Sequence, residues 1–179
     1  MKKIICLFLI LFAVSCKNDK QNNNYTPRKK AEIKDNLFKV SMNIKVDEND
    51  KFQLFYIDDS PEGSFSQEKR LTININGSDS LQDVQFTLPE KVFPYKFRVD
   101  LGENNVETIV EINEIKLQYN NESILIDKLV MERFFQPNIY LEKTDKGYLR
   151  KTIKGRCDPF LLSTPLLNKK IELDLQYKK

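Results

Sequence analysis

The chain has 179 residues, which is enough for one domain with a substantial core. Apolar residues make up 40% and charged residues 31%, a balance typical of a globular domain rather than a disordered chain. There is no histidine, which excludes Ser-His-Asp, Cys-His and histidine–zinc chemistry, and a formal net charge of +3 does not predict a nucleic-acid partner.

The N-terminus predicts an export signal. Lys2 and Lys3 precede an apolar run over residues 4–14, which as a helix would be about 16 Å long and too short to span a bilayer core of about 30 Å. The following sequence, AVSC at 13–16, resembles the lipobox of bacterial lipoproteins, although Ala13 replaces the usual Leu. The resemblance implies removal of residues 1–15 and lipidation of Cys16, with acyl chains such as palmitate. An ordinary secretion signal with an incidental cysteine is the alternative.

The resemblance also implies a location. Two acyl chains suffice for stable membrane attachment, and Lys17, in place of the Asp that marks inner-membrane retention, indicates the outer membrane. Without Lys2 and Lys3 the mature chain is nearly neutral, which again argues against a nucleic-acid partner. Residues 16–36 are polar and rich in Asn, and we expect them to form a flexible tether.

From residue 37 onward apolar and polar side chains alternate, which predicts β-strands. The pattern gives about ten short strands, the last of them over residues 171–177. A change of phase predicts a β-bulge near Asn113 and Glu114. Helix is scarce, and only residues 127–135 could be either helix or strand. Many short strands separated by turn signals predict an antiparallel sandwich or barrel over residues 37–179.

Residues 93–102, FPYKFRVDLG, alternate strictly. The members that we expect to face the core are Phe93, Tyr95, Phe97, Val99 and Leu101. Arg98 and Asp100 lie on the other face, about 7 Å apart along the strand. A structural charge pair is favoured over a ligand contact. Arg98 and Asp100 are candidate ligand-binding residues only if their face is the open, concave one.

The landmarks QLFYIDD, VQFTLPE, FPYKFRVDLG, EINEIKLQY and CDPFLLS together resemble a jelly-roll module. Such modules are associated with Bacteroidetes-type lipoproteins and with membrane proteins of surface-polysaccharide assembly. The resemblance covers most of the mature chain and implies a β-sandwich of the sort that carbohydrate-binding modules use. It implies no particular substrate.

Acidic clusters raise the question of calcium. Residues 47–50 have suitable oxygen ligands, but Lys51 interrupts the calcium-loop spacing, and a solvated hairpin turn is favoured. Asp58 and Asp59 end a predicted strand and are weak candidates for a cation site. A structural calcium ion is therefore an option rather than a prediction, and no other cofactor is expected.

Three further residues are singled out. Tyr148 follows a loop at 145–147, and we expect it to be exposed and to be the tyrosine best placed to contact a ligand. Ser80, within Asp79-Ser80-Leu81, resembles the short O-glycosylation site of Bacteroidetes-type secreted proteins, while an unmodified turn is the alternative. Cys157 has no partner for an intramolecular disulfide and is predicted to be a small buried residue rather than a nucleophile.

Together these patterns predict a lipid-anchored envelope protein with a non-catalytic sandwich. No fixed acidic motif supports a glycosidase, so we do not expect an enzyme. One hypothesis is a binding module for a glycan or another envelope polymer. The other is an accessory subunit that docks onto a membrane or surface-polysaccharide protein without a small ligand of its own.

Overall fold

The computed structural model describes residues 36–104 and 106–177, which belong to one compact unit. The predicted signal peptide, Cys16 and nearly all of the predicted tether lie outside the described residues. The strands that these residues form are β1 (Lys39–Lys45), β2 (Asp50–Ile57), β3 (Arg70–Ile75), β4 (Gln82–Thr87), β5 (Lys96–Leu101), β6 (Ile109–Tyr119), β7 (Glu122–Asp127), β8 (Phe135–Pro137), β9 (Leu141–Lys143), β10 (Tyr148–Arg150) and β11 (Phe160–Ser163). The α-helices are α1 (Met131–Phe134) and α2 (Pro165–Ile171); a π-helical segment, Glu172–Gln176, follows α2, and a short 3-10 helix, Gln67–Lys69, precedes β3.

The strands form two antiparallel sheets. The six-stranded sheet has the order β4-β1-β6-β10-β9, with β7 also paired to β6, and the five-stranded sheet has the order β3-β2-β5-β11-β8. The predicted all-β antiparallel sandwich is confirmed.

The path of the chain is that of a jelly roll. Its framework is four antiparallel pairs: β1–β4 and β6–β10 lie in the six-stranded sheet, and β2–β3 and β5–β11 lie in the five-stranded sheet. Thus β1 and β2 occupy the middle of opposite sheets, and β3 and β4 lie beside them at one edge. This winding gives each sheet one face toward a shared core and one face toward solvent.

The period-two pattern accounts for the core. In β1 the residues Val40, Met42 and Ile44 are buried and their neighbours are not, as the alternation predicts. These side chains join Phe52, Val99 and many others from both sheets in one hydrophobic cluster. Full burial of each large apolar side chain contributes about 1.5–3 kcal/mol to the sandwich.

The predicted bulge in β6 is confirmed. Asn43 pairs with Glu114 and the next residue, Ile44, pairs with Ile112, so that Asn113 has no counterpart on β1. The extra residue places Ile115 and Leu117 on the buried face.

The predicted last strand is wrong, because residues 171–176 are helical. Leu167, Ile171 and Leu175 are buried at spacings of four, the stripe of an amphipathic helix. Thr164 caps α2 by accepting a hydrogen bond from the Leu167 N–H at 3.3 Å, and Pro165 fits the first turn. Among the described helices, none has the length and apolar character needed to cross a bilayer.

Candidate functional site

A groove of about 260 Å³ lies between residues 93–96 and α2. We call it the Tyr95 groove. Its lining includes Pro61, Phe93, Pro94, Tyr95, Asn168 and Gln176. The Tyr95 side of the groove contains rings and prolines, and the α2 side contains amide and charged side chains. This combination of an apolar wall and a few polar groups is the usual make-up of a ligand site.

The backbone before β5 explains why Tyr95 is exposed. β5 begins only at Lys96, so the strict alternation of residues 93–102 does not extend to Tyr95. The Tyr95 N–H donates to the Ile57 carbonyl at 2.7 Å, and Pro94 is buried beside it. The Tyr95 side chain is 45% exposed, and the prediction that it faces the core is therefore wrong.

Phe93 anchors the same segment. Its ring packs edge-on against Phe38, with ring centroids 5.5 Å apart, and against Tyr119, with centroids 5.1 Å apart. Such edge-to-face pairs add about 0.5–1.5 kcal/mol beyond the burial of their area. The Tyr95 ring is thus held at the surface by a fixed neighbour.

The opposite wall is formed by α2 and the π-helical segment that follows it. Asn168 has a buried Oδ1 with no hydrogen-bond partner among the described residues. Lys169 pairs with Glu172 at 2.8 Å, and both line the groove. Asn168, Lys169 and Glu172 offer donors and acceptors opposite an exposed aromatic ring. Sequence reasoning missed this wall because it predicted a strand where α2 continues into the π-helical segment.

Arg98 and Asp100 lie on the outer face of the five-stranded sheet, away from the Tyr95 groove. The Arg98 Nε donates to Asp100 Oδ1 at 2.5 Å and its Nη2 donates to Asp100 Oδ2 at 2.7 Å, which confirms the predicted charge pair. Nη2 also donates to Asp158 at 2.7 Å, and the guanidinium lies 3.8 Å from the centre of the Phe160 ring. Two carboxylates and an aromatic ring already surround this cation, while a ligand role stays a prediction.

Burial and neighbouring charges shift the pKa values of Asp100 and Arg98. Burial raises the pKa of Asp100 above its ordinary value, although the bonds from Arg98 oppose the change. For Arg98, burial alone would lower the pKa, but the bonds to Asp100 and the charge of Asp158 outweigh burial and raise it. The guanidinium therefore stays charged and fixed.

Tyr148 is buried, with 4% of its surface exposed, so the expectation of an exposed ring is wrong. It lies in β10 opposite Val110 of β6 and Lys143 of β9, and its ring faces the interior. It does, however, line a second pocket of about 320 Å³ between the connection from β7 to α1 and the turn from β9 to β10. We call this the Tyr148 pocket. Burial and, secondarily, Glu132 raise the pKa of Tyr148 to about 12, so its hydroxyl is neutral.

Asp58 and Asp59 share a cation that the protein itself supplies. The Lys69 ammonium lies 2.6 Å from Asp58 and 3.1 Å from Asp59. Its hydrogen bond lowers the pKa of Asp59. Within residues 36–104 and 106–177 no group of three or more acidic or cysteine side chains could hold a metal ion. Residues 47–50 do not form the predicted solvated hairpin turn. Asp50 is buried, and the turn connects a strand of one sheet to a strand of the other.

Ser80 and Cys157 line neither pocket. Ser80 is exposed in a bend that the Ser78 hydroxyl stabilises, accepting from the Ser80 N–H at 3.0 Å and donating to the Ser80 carbonyl. Cys157 is free and half-buried, and burial raises the pKa of its thiol, which keeps it protonated. Cys16, the predicted lipidation site, lies outside the described residues.

No protein-family model, curated protein or solved structure matches the chain. The resemblance to Bacteroidetes-type jelly-roll lipoproteins therefore stays a prediction.

Proposed function

We propose that the chain is a lipid-anchored envelope protein whose sandwich is a non-catalytic binding module for a glycan or another envelope polymer. The Tyr95 groove is the site that we assign to this ligand. The observation that carries the proposal is the exposed Tyr95 ring facing the polar side chains of α2 across one groove.

The chemistry of the groove supports a sugar ligand. A sugar ring has an apolar face of C–H groups that stacks on an aromatic ring, and hydroxyl groups at its edge that require donors and acceptors. Tyr95 and the neighbouring prolines suit the first requirement. Asn168, whose Oδ1 has no partner in the described part of the chain, and the Lys169–Glu172 pair suit the second.

The fixed geometry of the groove also favours binding. Phe93 is held by two aromatic contacts, the Tyr95 backbone is bonded to Ile57, and α2 is capped by Thr164. Little conformational freedom would be lost from these segments when a ligand binds, so more of the contact energy would appear as affinity.

The anchoring part of the proposal rests on the sequence of residues 1–16. The short apolar run and Cys16 support acylation, and the outer membrane is the destination that we propose. Cys16→Ala should move the protein from the membrane fraction to the soluble fraction. Retention of the variant in membranes would refute the lipid anchor without bearing on the groove.

The test of function uses the full chain, purified in mild detergent, on an array of bacterial and plant glycans. We expect a small set of glycans to bind. A parallel pull-down from envelope membranes addresses the alternative: if no glycan binds and one protein is recovered in stoichiometric amount, the chain is an accessory subunit and the glycan proposal is wrong.

A further inference from the structure

The Tyr148 pocket has a lining unlike that of the Tyr95 groove, and the two share no residue. Three lysines line it: Lys128 from the connection that follows β7, Lys143 from the end of β9, and Lys146 from the turn between β9 and β10. Lysine residues therefore line one cavity from both of its sides.

Two of these lysines have no ion-pair partner among the described residues. Lys143 is held by Glu132, with 2.6 Å between Nζ and Oε2. No such carboxylate pairs with Lys128 or Lys146 within residues 36–104 and 106–177. Among the residues that line the pocket, three lysines outnumber one carboxylate, Asp145. Like charges held together repel, and a bound anion would relieve that repulsion.

The floor of the pocket is apolar. Ile112, Met131 and Tyr148 line it and are nearly fully buried. Leu129 stands in the same lining with 86% of its surface exposed, the most exposed large apolar side chain among the described residues. A ligand with an apolar or ring-shaped body would remove this surface from water.

Both walls are fixed by hydrogen bonds. Asp127 Oδ1 accepts from the Leu129 N–H at 2.8 Å and from the Val130 N–H at 3.2 Å, which holds the chain after β7. In the opposite turn the Thr144 N–H donates to the Gly147 carbonyl at 2.7 Å, and the Gly147 N–H donates to the Thr144 hydroxyl at 3.1 Å. The lysines therefore extend from rigid loops.

We propose that the Tyr148 pocket binds an oxyanion carried on a ring-shaped or apolar body, through Lys128 and Lys146. The oxyanion is a carboxylate, as on an acidic sugar, or a phosphate. This inference goes beyond the proposed function, because it adds a second, charge-selective site that does not depend on the Tyr95 groove.

The experiment is a titration followed by the amide signals of the isotopically labelled full chain in detergent, with D-glucuronate, D-glucose and inorganic phosphate as probes. We expect glucuronate to shift signals of residues 127–131 and 143–148 and to bind at least about tenfold more tightly than glucose, because only glucuronate carries a charge. Raising the salt concentration from about 20 to 300 mM should weaken binding. Added salt shortens the Debye length and so screens the attraction between the anion and the lysines, because the pocket is open to solvent.

Two double variants separate the pocket from general surface charge. Lys128→Gln/Lys146→Gln should weaken glucuronate binding at least about tenfold, whereas Lys91→Gln/Lys154→Gln, which removes the same charge from exposed turns, should leave it within about twofold. Tyr95→Ala should have no effect on glucuronate, so failure of this site and failure of the Tyr95 groove are distinguishable.

The outcomes decide as follows. Phosphate binding with no glucuronate binding assigns the oxyanion to phosphate and supports the site. The proposal is overturned if glucose and glucuronate bind equally, or if the Lys128→Gln/Lys146→Gln variant binds glucuronate with unchanged affinity. It is also overturned if neither anion shifts any signal at about 50 mM, because so weak an affinity would not indicate a specific site.

Discussion

Arg150 and Asp50 form an ion pair in which each side chain is only 1% exposed, and the pair joins the two sheets of the sandwich. Asp50 begins β2 in one sheet and Arg150 ends β10 in the other. The second carboxylate oxygen of Asp50 accepts from the N–H groups of Lys51 and Glu103, and Arg150 also donates to the Thr108 hydroxyl. The pair therefore closes one end of the core and fixes the loop after β5.

The first prediction concerns the loss of this pair. Arg150→Met leaves the Asp50 carboxylate buried without its cation, and we expect the free energy of unfolding to fall by about 3–5 kcal/mol. Urea denaturation measures the change. Arg156→Met, at an exposed position in a nearby turn, is the matched control and should change stability by less than about 0.5 kcal/mol. Similar small effects of both variants would show that the buried pair contributes little.

The second prediction concerns Gly102, which contacts the same pair. Its φ of +117° disfavours any other residue, and an added Cβ would overlap both Arg150 Nη1 and Asp50 Oδ2. Gly155 also has a positive φ, +77°, but a Cβ there would meet nothing within 4 Å. Gly155→Ala therefore reports backbone strain alone, about 1 kcal/mol, and Gly102→Ala should cost at least about 2 kcal/mol more. Equal costs in urea denaturation would contradict the proposed overlap.

The third prediction is a pH dependence that comes from Tyr148. Its pKa in the folded protein is about 12, against a usual value of 10.0. The unfolded chain therefore loses this proton first as the pH rises, and stability that is complete below pH 10 is lost between about pH 10 and 12. At pH 11.5 the loss should be about 2 kcal/mol relative to pH 9.

Tyr148→Phe isolates this effect from the titration of lysines. The variant should lose less stability than the wild type between pH 9 and pH 11.5, by about that same 2 kcal/mol in urea denaturation. Parallel losses in the two proteins would mean that Tyr148 titrates normally and is more accessible to water than its burial indicates.

The fourth prediction concerns calcium. Because the Lys69 ammonium already lies between Asp58 and Asp59, we expect about 5 mM calcium to shift the melting temperature by less than about 1 °C. Lys69→Met frees both carboxylates and is the matched variant for the same calcium titration. A rise of several degrees in the wild type would contradict the assignment of Lys69 as the resident cation.

The sequence predicts most of the strands because a period of two is a local signal. Each strand of the sandwich buries one face, and the alternation around Val40 or Ile112 can be read without knowledge of the partner strand. The prediction of a strand at residues 171–177 is wrong for a related reason. The apolar residues of this segment fit a period of two as well as a period of four, and only the Thr164-Pro165 start signal favoured helix.

The residues of the candidate site are harder to predict from such local patterns. The exposure of Tyr95 depends on where β5 begins, and the polar wall opposite it belongs to α2, about 70 residues later in the chain. Tyr148 follows a turn, but tertiary packing against β6 buries its ring. The pairing of Asp50 with Arg150, which are 100 residues apart, leaves no local pattern at all.

The most direct test of the central claim is calorimetric titration of the glycans that bind on the array into four proteins: the wild type, Tyr95→Ala, Tyr95→Phe and Tyr177→Ala. A stacking contact is worth about 1–3 kcal/mol, so Tyr95→Ala should weaken binding at least about tenfold, while Tyr95→Phe keeps the ring and should bind within about threefold of the wild type. Tyr177 is 62% exposed and does not line the groove, and its loss should have no effect. Wild-type affinity in Tyr95→Ala would contradict the assignment of the Tyr95 groove as the glycan site.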